Sequence, residues 1–304
     1  MNLTIYQADA FTDHVFGGNP AAVIPLESWL DDATLQAIAS ENNLSETAFI
    51  IAIDASDTTT ENDVGPDENG HLAYELRWFT PVSEVAMCGH ATLATAHVLF
   101  THLGINGSQI EFVTKSGTLT VEKLNDGYSM DFPAVPSQLL KMAEVPNALI
   151  EGLNINVNRI INVSLGTDYL VELVSQADVK AVTPKITHWQ NLNARGVIIT
   201  AQADNANLDA NPDAKTDNKS DAKADVVSRC FYPKEGVAED PVTGSAHCQL
   251  TPYWAAELGK NKLTAVQLSK RRGYLHCELV KSENSERVKL IGNAVDYMVG
   301  QITI

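Results

Sequence analysis

At 304 residues, with 44% of them hydrophobic, the chain is long enough for one large or two medium cores, and its internal organisation favours two. Its 38 acidic against 21 basic residues give a formal net charge of −17, which repels nucleic acid and anionic membranes and excludes polyanion partners. MNLTIYQADAF lacks the basic and apolar regions of a secretory signal and no run of about 18 apolar residues occurs, so a cytoplasmic, non-membrane protein is expected, with reduced thiols at Cys88, Cys230, Cys248 and Cys277.

From the N-terminus, the stretch DAFTDHVFGGNPAAVI breaks at Gly18-Asn19-Pro20 before an apolar run. A polar helical segment leads to NNLSETAFII, where a helix ends and a strand begins at about Glu46. Asp54 to His71 is polar and acidic and is expected to be a hairpin excursion. RWFTPVSEVAMCGHATLATAHVLFTHLG then introduces a helix from His90 to Leu103, apolar around its whole circumference and therefore buried. FVTKSGTLTVE reads as two strands broken at Gly117. The loop Asn125-Asp126-Gly127 is the expected boundary, giving a first half of 1–125 plus 293–304 and a second half of 126–292.

The second half repeats the first. Gly166-Thr167-Asp168 followed by YLVEL parallels Gly18-Asn19-Pro20 followed by AAVI, and GVIITA parallels AFIIAI. RCFYPKEGVAEDPVTGSAHCQLTPYWAAELG matches the first apolar-helix segment. Phe231-Tyr232-Pro233 answers Phe79-Thr80-Pro81, and Gly244-Ser245-Ala246 answers Gly89-His90-Ala91. From that glycine to the closing Leu-Gly the spacing is identical, Gly89 to Gly104 and Gly244 to Gly259. The second copy carries extra residues, for which Asp240-Pro241-Val242 accounts. LSKRRGYLHCE echoes the strand pair broken at Gly117, here at Gly273. Pro252 falls inside the second helix, Ser245 to Leu258, and should cost it a backbone hydrogen bond. Ala203 to Asp225, with aspartates recurring every four residues from Asp209 and one large apolar residue, is expected to be a surface insert outside any core. The fold expected is α+β, two pseudo-symmetric halves, each a sheet around a central helix at about 89–103 or 244–258.

Several of these residues have chemical potential. A helix starting at Gly89-His90 or Gly244-Ser245 offers unpaired N–H groups and a positive dipole end to a small carboxylate, with ordinary N-capping by Thr243 or Ser245 as the alternative. Glu46, flanked by Leu44 and Phe49 at a helix-to-strand transition, is either an exposed strand-end residue or a partly buried acid–base group. Asp240 is either a turn residue ahead of Pro241 or a second acid, and His90 either a cap or a substrate partner. The eight histidines show no HExxH or other dense ligand motif, so no metal is expected, and nothing points to another cofactor.

The stretches DAFTDHVFGGNPAAVI, LSETAFI, RWFTPVSEVAMCGHATLATA and EDPVTGSAHCQLTPYW, in order along nearly the whole chain, resemble the PhzF-like phenazine biosynthesis family, which has a diaminopimelate epimerase-like fold. The resemblance implies an active site between two similar halves and a homodimer. It also implies a cofactor-free isomerisation of a dihydro-hydroxyanthranilate by one glutamate that removes a proton from one ring carbon and returns it to another. Glu46 matches that glutamate. Asp240 and His90 match positions that assist proton movement, while Gly89, Gly244 and Ser245 match positions that hold a small carboxylate substrate. Related epimerases and racemases use two opposed cysteines; here Cys88 precedes Gly89, but Thr243 stands before Gly244, and a hydroxyl is too weak an acid to replace a thiol. An amino-acid epimerase or racemase, and a non-catalytic binder of small carboxylates, are the alternatives.

Overall fold

The computed structural model describes residues 1–53, 72–204, 223–282 and 285–304. The chain forms two compact units, Met1–Phe132 with Val242–Ser245 and Lys289–Ile304, and Pro133–Pro241 with Ala246–Val288. The expected excursion from Asp54 to His71 and residues 205–222 of the Ala203 to Asp225 insert lie outside the described residues. The base of the insert is closed by Ala203 N–H donating to the Asp225 carbonyl at 2.9 Å. No helix among the described residues is long and apolar enough to cross a membrane.

In the first unit the elements are β1 (Asn2–Ala10), β2 (Asn19–Pro25), α1 (Asp32–Asn42), β3 (Glu46–Ala52), β4 (Leu72–Phe79), β5 (Glu84–Val85), α2 (Gly89–Thr101), β6 (Gln109–Thr114), β7 (Gly117–Leu124) and β8 (Gly127–Pro133). Asp31 caps α1 by accepting from Thr34 N–H at 3.0 Å, and Asn43, left-handed at φ 51°, stops it. The chain therefore turns directly into β3, which lies parallel to β2 with Ala21 opposite Glu46. Twelve of the 13 residues of α2 are buried, as an all-round apolar helix requires, and it packs on β1, β2 and β3. It ends at Thr101 rather than Leu103, because His102 caps it and Gly104 turns left-handed at φ 72°. Asn125-Asp126, expected at the boundary, form the two-residue turn of the β7–β8 hairpin.

The second unit runs through β9 (Gln138–Leu139), α3 (Asn147–Leu153), β10 (Ile160–Leu165), β11 (Tyr169–Leu173), α4 (Gln176–Ala181), β12 (Val197–Gln202), β13 (Val226–Tyr232), β14 (Val237–Asp240), α5 (Gly244–Leu258), β15 (Lys262–Gln267), β16 (Gly273–Lys281) and β17 (Glu286–Gly292). Residues 244–245 of α5 and 289–292 of β17 belong with the first unit. The duplication is topological as well as sequential. Pairings β1-β2-β3-β4-β6-β7 are antiparallel, parallel, antiparallel, parallel and antiparallel in turn. Pairings β10-β11-β12-β13-β15-β16 repeat that series. The last strand, β18 (Ala294–Thr303), returns to pair antiparallel with β1.

Pro252 inside α5 has a structural resolution. It leaves the carbonyl four residues earlier, that of Cys248, without its helical donor, and Val135 N–H supplies the missing bond at 3.0 Å. Leaving a buried carbonyl unpaired would cost about 1–3 kcal/mol. All four cysteines are buried, and none is in a disulfide.

The far end of α2 carries a titrating cluster. Asp296 Oδ1 accepts from His97 Nε2 at 3.1 Å and His102 Nε2 at 2.9 Å, while His97 Nδ1 meets the Tyr128 hydroxyl at 3.0 Å. Burial pulls His97 below its ordinary value despite Asp296. Burial raises Asp296, but the two histidines outweigh it and hold its carboxyl below the usual range. Each shift makes the unfolded chain the better proton binder on the acid side. The His97 contribution is lost as pH falls through about 6.5, and that of Asp296 below about 3.9. The urea midpoint is therefore expected to fall between about pH 7 and pH 5, and His97→Gln to flatten that slope.

Candidate active site

Three chain segments of the first unit converge at the start of α2. The parallel strands β2 and β3 begin at Asn19 and Glu46, so both side chains emerge at the same end of the sheet, and α2 begins beside them with Cys88, Gly89 and His90. The His90 side chain is 5% exposed and that of Glu46 16%, and Glu46 Oε2 lies 3.0 Å from His90 Nε2. The contact is short but out of line with the ring N–H, so Oε2 has no well-aligned hydrogen-bond donor. Asn19 Nδ2 lies 3.1 Å from His90 Nδ1 and donates to the Val242 carbonyl at 2.9 Å. Cys88 Sγ approaches the same imidazole, 3.5 Å from Nδ1 and 4.0 Å from Nε2.

Burial and the nearby Glu46 carboxylate push the Cys88 thiol up to about 11, so it is protonated at neutral pH. Burial also opposes a charged His90, yet the negative charges available at Cys88 and Glu46 outweigh it and hold the imidazole well above its ordinary value. With Cys88 a thiol at neutral pH, the larger of those two charges is absent, and the amide donor of Asn19 against Nδ1 disfavours a second ring hydrogen, so the ring is neutral there. The result is a carboxylate and an imidazole facing each other in a poorly solvated place, a pair suited to holding and passing a proton.

Glu46, Cys88 and His90 also place their donor atoms within 4.8 Å of one another, close enough to hold a metal ion. The surroundings do not fit one. A metal on His90 Nε2 would require the ring hydrogen on Nδ1, and Nδ1 faces the amide N–H of Asn19.

Gly89 meets Gly244: a Cβ built on either lies 3.3 Å from the other's Cα. Two helix starts are thus in close backbone contact, where even one added methyl would be tight. Cys88, the N-cap residue of α2, makes no side-chain capping hydrogen bond. Ser245, next along, is half-buried.

The structure thus gathers four of the six expected site residues, Glu46, His90, Gly89 and Gly244, in the first unit, where Ser245 also belongs. Asp240 belongs to the second unit. There it is 8% exposed at the end of β14, its carbonyl accepts from Gln267 Nε2 at 2.7 Å, and Ser269 Oγ donates to the neighbouring Pro241 carbonyl at 2.7 Å. Sequence reasoning missed Asn19. It stood inside the repeated glycine motif, but nothing local indicated that its amide would be fully buried against His90.

The chain matches the PhzC-PhzF family model, described as phenazine biosynthesis-like protein, over residues 8–300. It is 42% identical over 302 residues to an uncharacterised isomerase of Pseudomonas aeruginosa, covering 99% of each chain. It is 40% identical to an uncharacterised isomerase of Halalkalibacterium halodurans, covering 100% of each. Among solved structures it resembles a PhzF-family phenazine biosynthesis protein of Enterococcus faecalis, with a TM-score of 0.82 at 37% identity and 100% coverage of both chains.

Proposed function

Since the chain belongs to the phenazine biosynthesis-like PhzC-PhzF family and is an isomerase by that membership, we propose that it moves a proton within a small carboxylate substrate, without a cofactor, using Glu46 as acid and base. The observation that carries this reading is the contact of the partly buried Glu46 carboxylate with the buried His90. The carboxylate of Glu46 takes a proton from a substrate carbon made acidic by an adjoining unsaturated system, keeps it while charge delocalises, and returns it to a second carbon. The positive ends of the helices that start at Gly89 and Gly244 suit the substrate carboxylate. Asp240 and Ser245 enter the proposal on the family resemblance, as a second acid and a substrate contact, as does a homodimer.

Incubation in D₂O with a panel of small carboxylates, including the dihydro-hydroxyanthranilate and several amino acids, tests this by NMR. Deuterium at a second carbon is the expected result; tight binding of a panel member with no exchange would favour a non-catalytic binder. The epimerase or racemase alternative uses Glu46 or Cys88 on one face, and its Cys88 form needs a thiolate that burial disfavours. Cys88→Ala is accordingly expected to retain most of the exchange rate, and loss of exchange in that variant would favour the thiol mechanism.

A further inference from the structure

We propose that Asn19 is a positioning residue that fixes His90 in its Nε2–H tautomer, so that the ring nitrogen nearest Glu46 carries the hydrogen and leaves the Glu46 carboxylate as the group that accepts a substrate proton. This rests on the reading of Glu46 as the base. The orientation of the Asn19 amide is settled by Val242, whose carbonyl only accepts and stands 2.9 Å from Nδ2. Exchanging the amide nitrogen and oxygen would set two acceptors against each other. The same Nδ2 lies 3.1 Å from His90 Nδ1, and an amide NH₂ cannot accept, so Nδ1 must present its lone pair. The single hydrogen of the neutral ring is then on Nε2, 3.0 Å from Glu46 Oε2.

The fixture is stiff. Asn19 is fully buried, and Gly18 before it is held left-handed at φ 57°, where a Cβ would lie 2.0 Å from the Ala10 carbonyl oxygen. Pro20 restricts it from the other side. A carboxylate in place of the amide would do the opposite. It would draw the ring hydrogen to Nδ1, turn the Nε2 lone pair toward Oε2, and oblige Glu46 to carry a proton to meet it.

Protein labelled with ¹⁵N-histidine reports the tautomer through long-range ¹H–¹⁵N correlation spectra, with His90 assigned by its loss in His90→Asn. Wild type is expected to show Nε2–H, Asn19→Asp to show Nδ1–H or a doubly protonated ring, and Asn19→Ala a mixture of tautomers. A wild-type ring protonated on Nδ1 alone, or a pattern unchanged in both variants, would overturn the inference. Should Asn19→Asp fail to fold by thermal melting, wild type and Asn19→Ala decide the matter. In the D₂O assay Asn19→Asp is expected to lose exchange by about a hundredfold. Normal exchange in a variant whose tautomer has flipped would sever Asn19 from Glu46 and overturn the proposal. An Nε2–H wild type with no exchange on any panel member would instead count against the Glu46 reading, leaving the tautomer assignment intact.

Discussion

Glu46→Gln is expected to reduce deuterium incorporation from solvent by about 10²–10⁴-fold while leaving the fold unchanged. The amide has nearly the shape of the carboxylate, and the side chain stands at the first position of β3, anchored by the pairing of that strand with β2 and β4. Its backbone role therefore survives the change. What disappears is the carboxylate that meets His90 at 3.0 Å, while the neighbouring Cys88 thiol, held up near 11, cannot take over its role as a base. A variant with wild-type exchange and an unchanged melting temperature would remove Glu46 from the chemistry altogether.

Gly18→Ala should damage both stability and exchange. The residue sits at φ 57°, and an added Cβ would lie 2.0 Å from the Ala10 carbonyl oxygen and 2.9 Å from Thr12 Cγ2. That oxygen is backbone, in the β1–β2 ladder where Ala10 faces Asn19, and it cannot swing aside as a side chain would. The strand start must shift, and with it Asn19. A loss of about 2–4 kcal/mol is expected, read as a lowered urea midpoint, with exchange falling further than stability alone explains. Gly117→Ala is the control. Gly117 also has a positive φ, 104°, but nothing lies within 4 Å of its added Cβ, so only backbone strain of about 1–2 kcal/mol remains. Equal effects at the two positions would mean that the close approach to Ala10 carries no weight.

The organisation legible in the sequence was local or repeated. The helix beginning at Gly89 announced its burial because it is apolar on every side, and the helix at Gly244 was found by the same spacing to a closing Leu-Gly. Strand runs on either side of Gly117 and Gly273 became β6–β7 and β15–β16. Duplication strengthened each reading, because two copies of one pattern constrain the same topology twice.

Tertiary structure decided what depends on distant contacts. Residues 19, 46, 90 and 242 are far apart in the chain, and no periodicity predicts that an amide, a carboxylate, an imidazole and a carbonyl will meet. Cys88 likewise read only as a reduced thiol ahead of Gly89, and its position against His90 became visible only in the fold. The proline within α5 had no local rationale, since its compensation comes from Val135 in another segment. By itself the sequence determined the duplicated fold and the residues with chemical potential, because hydrophobic period and backbone propensity act over a few residues. The fold alone decided which of them stand in contact, because hydrogen-bond partners are set by neighbours that the chain brings together only when it closes.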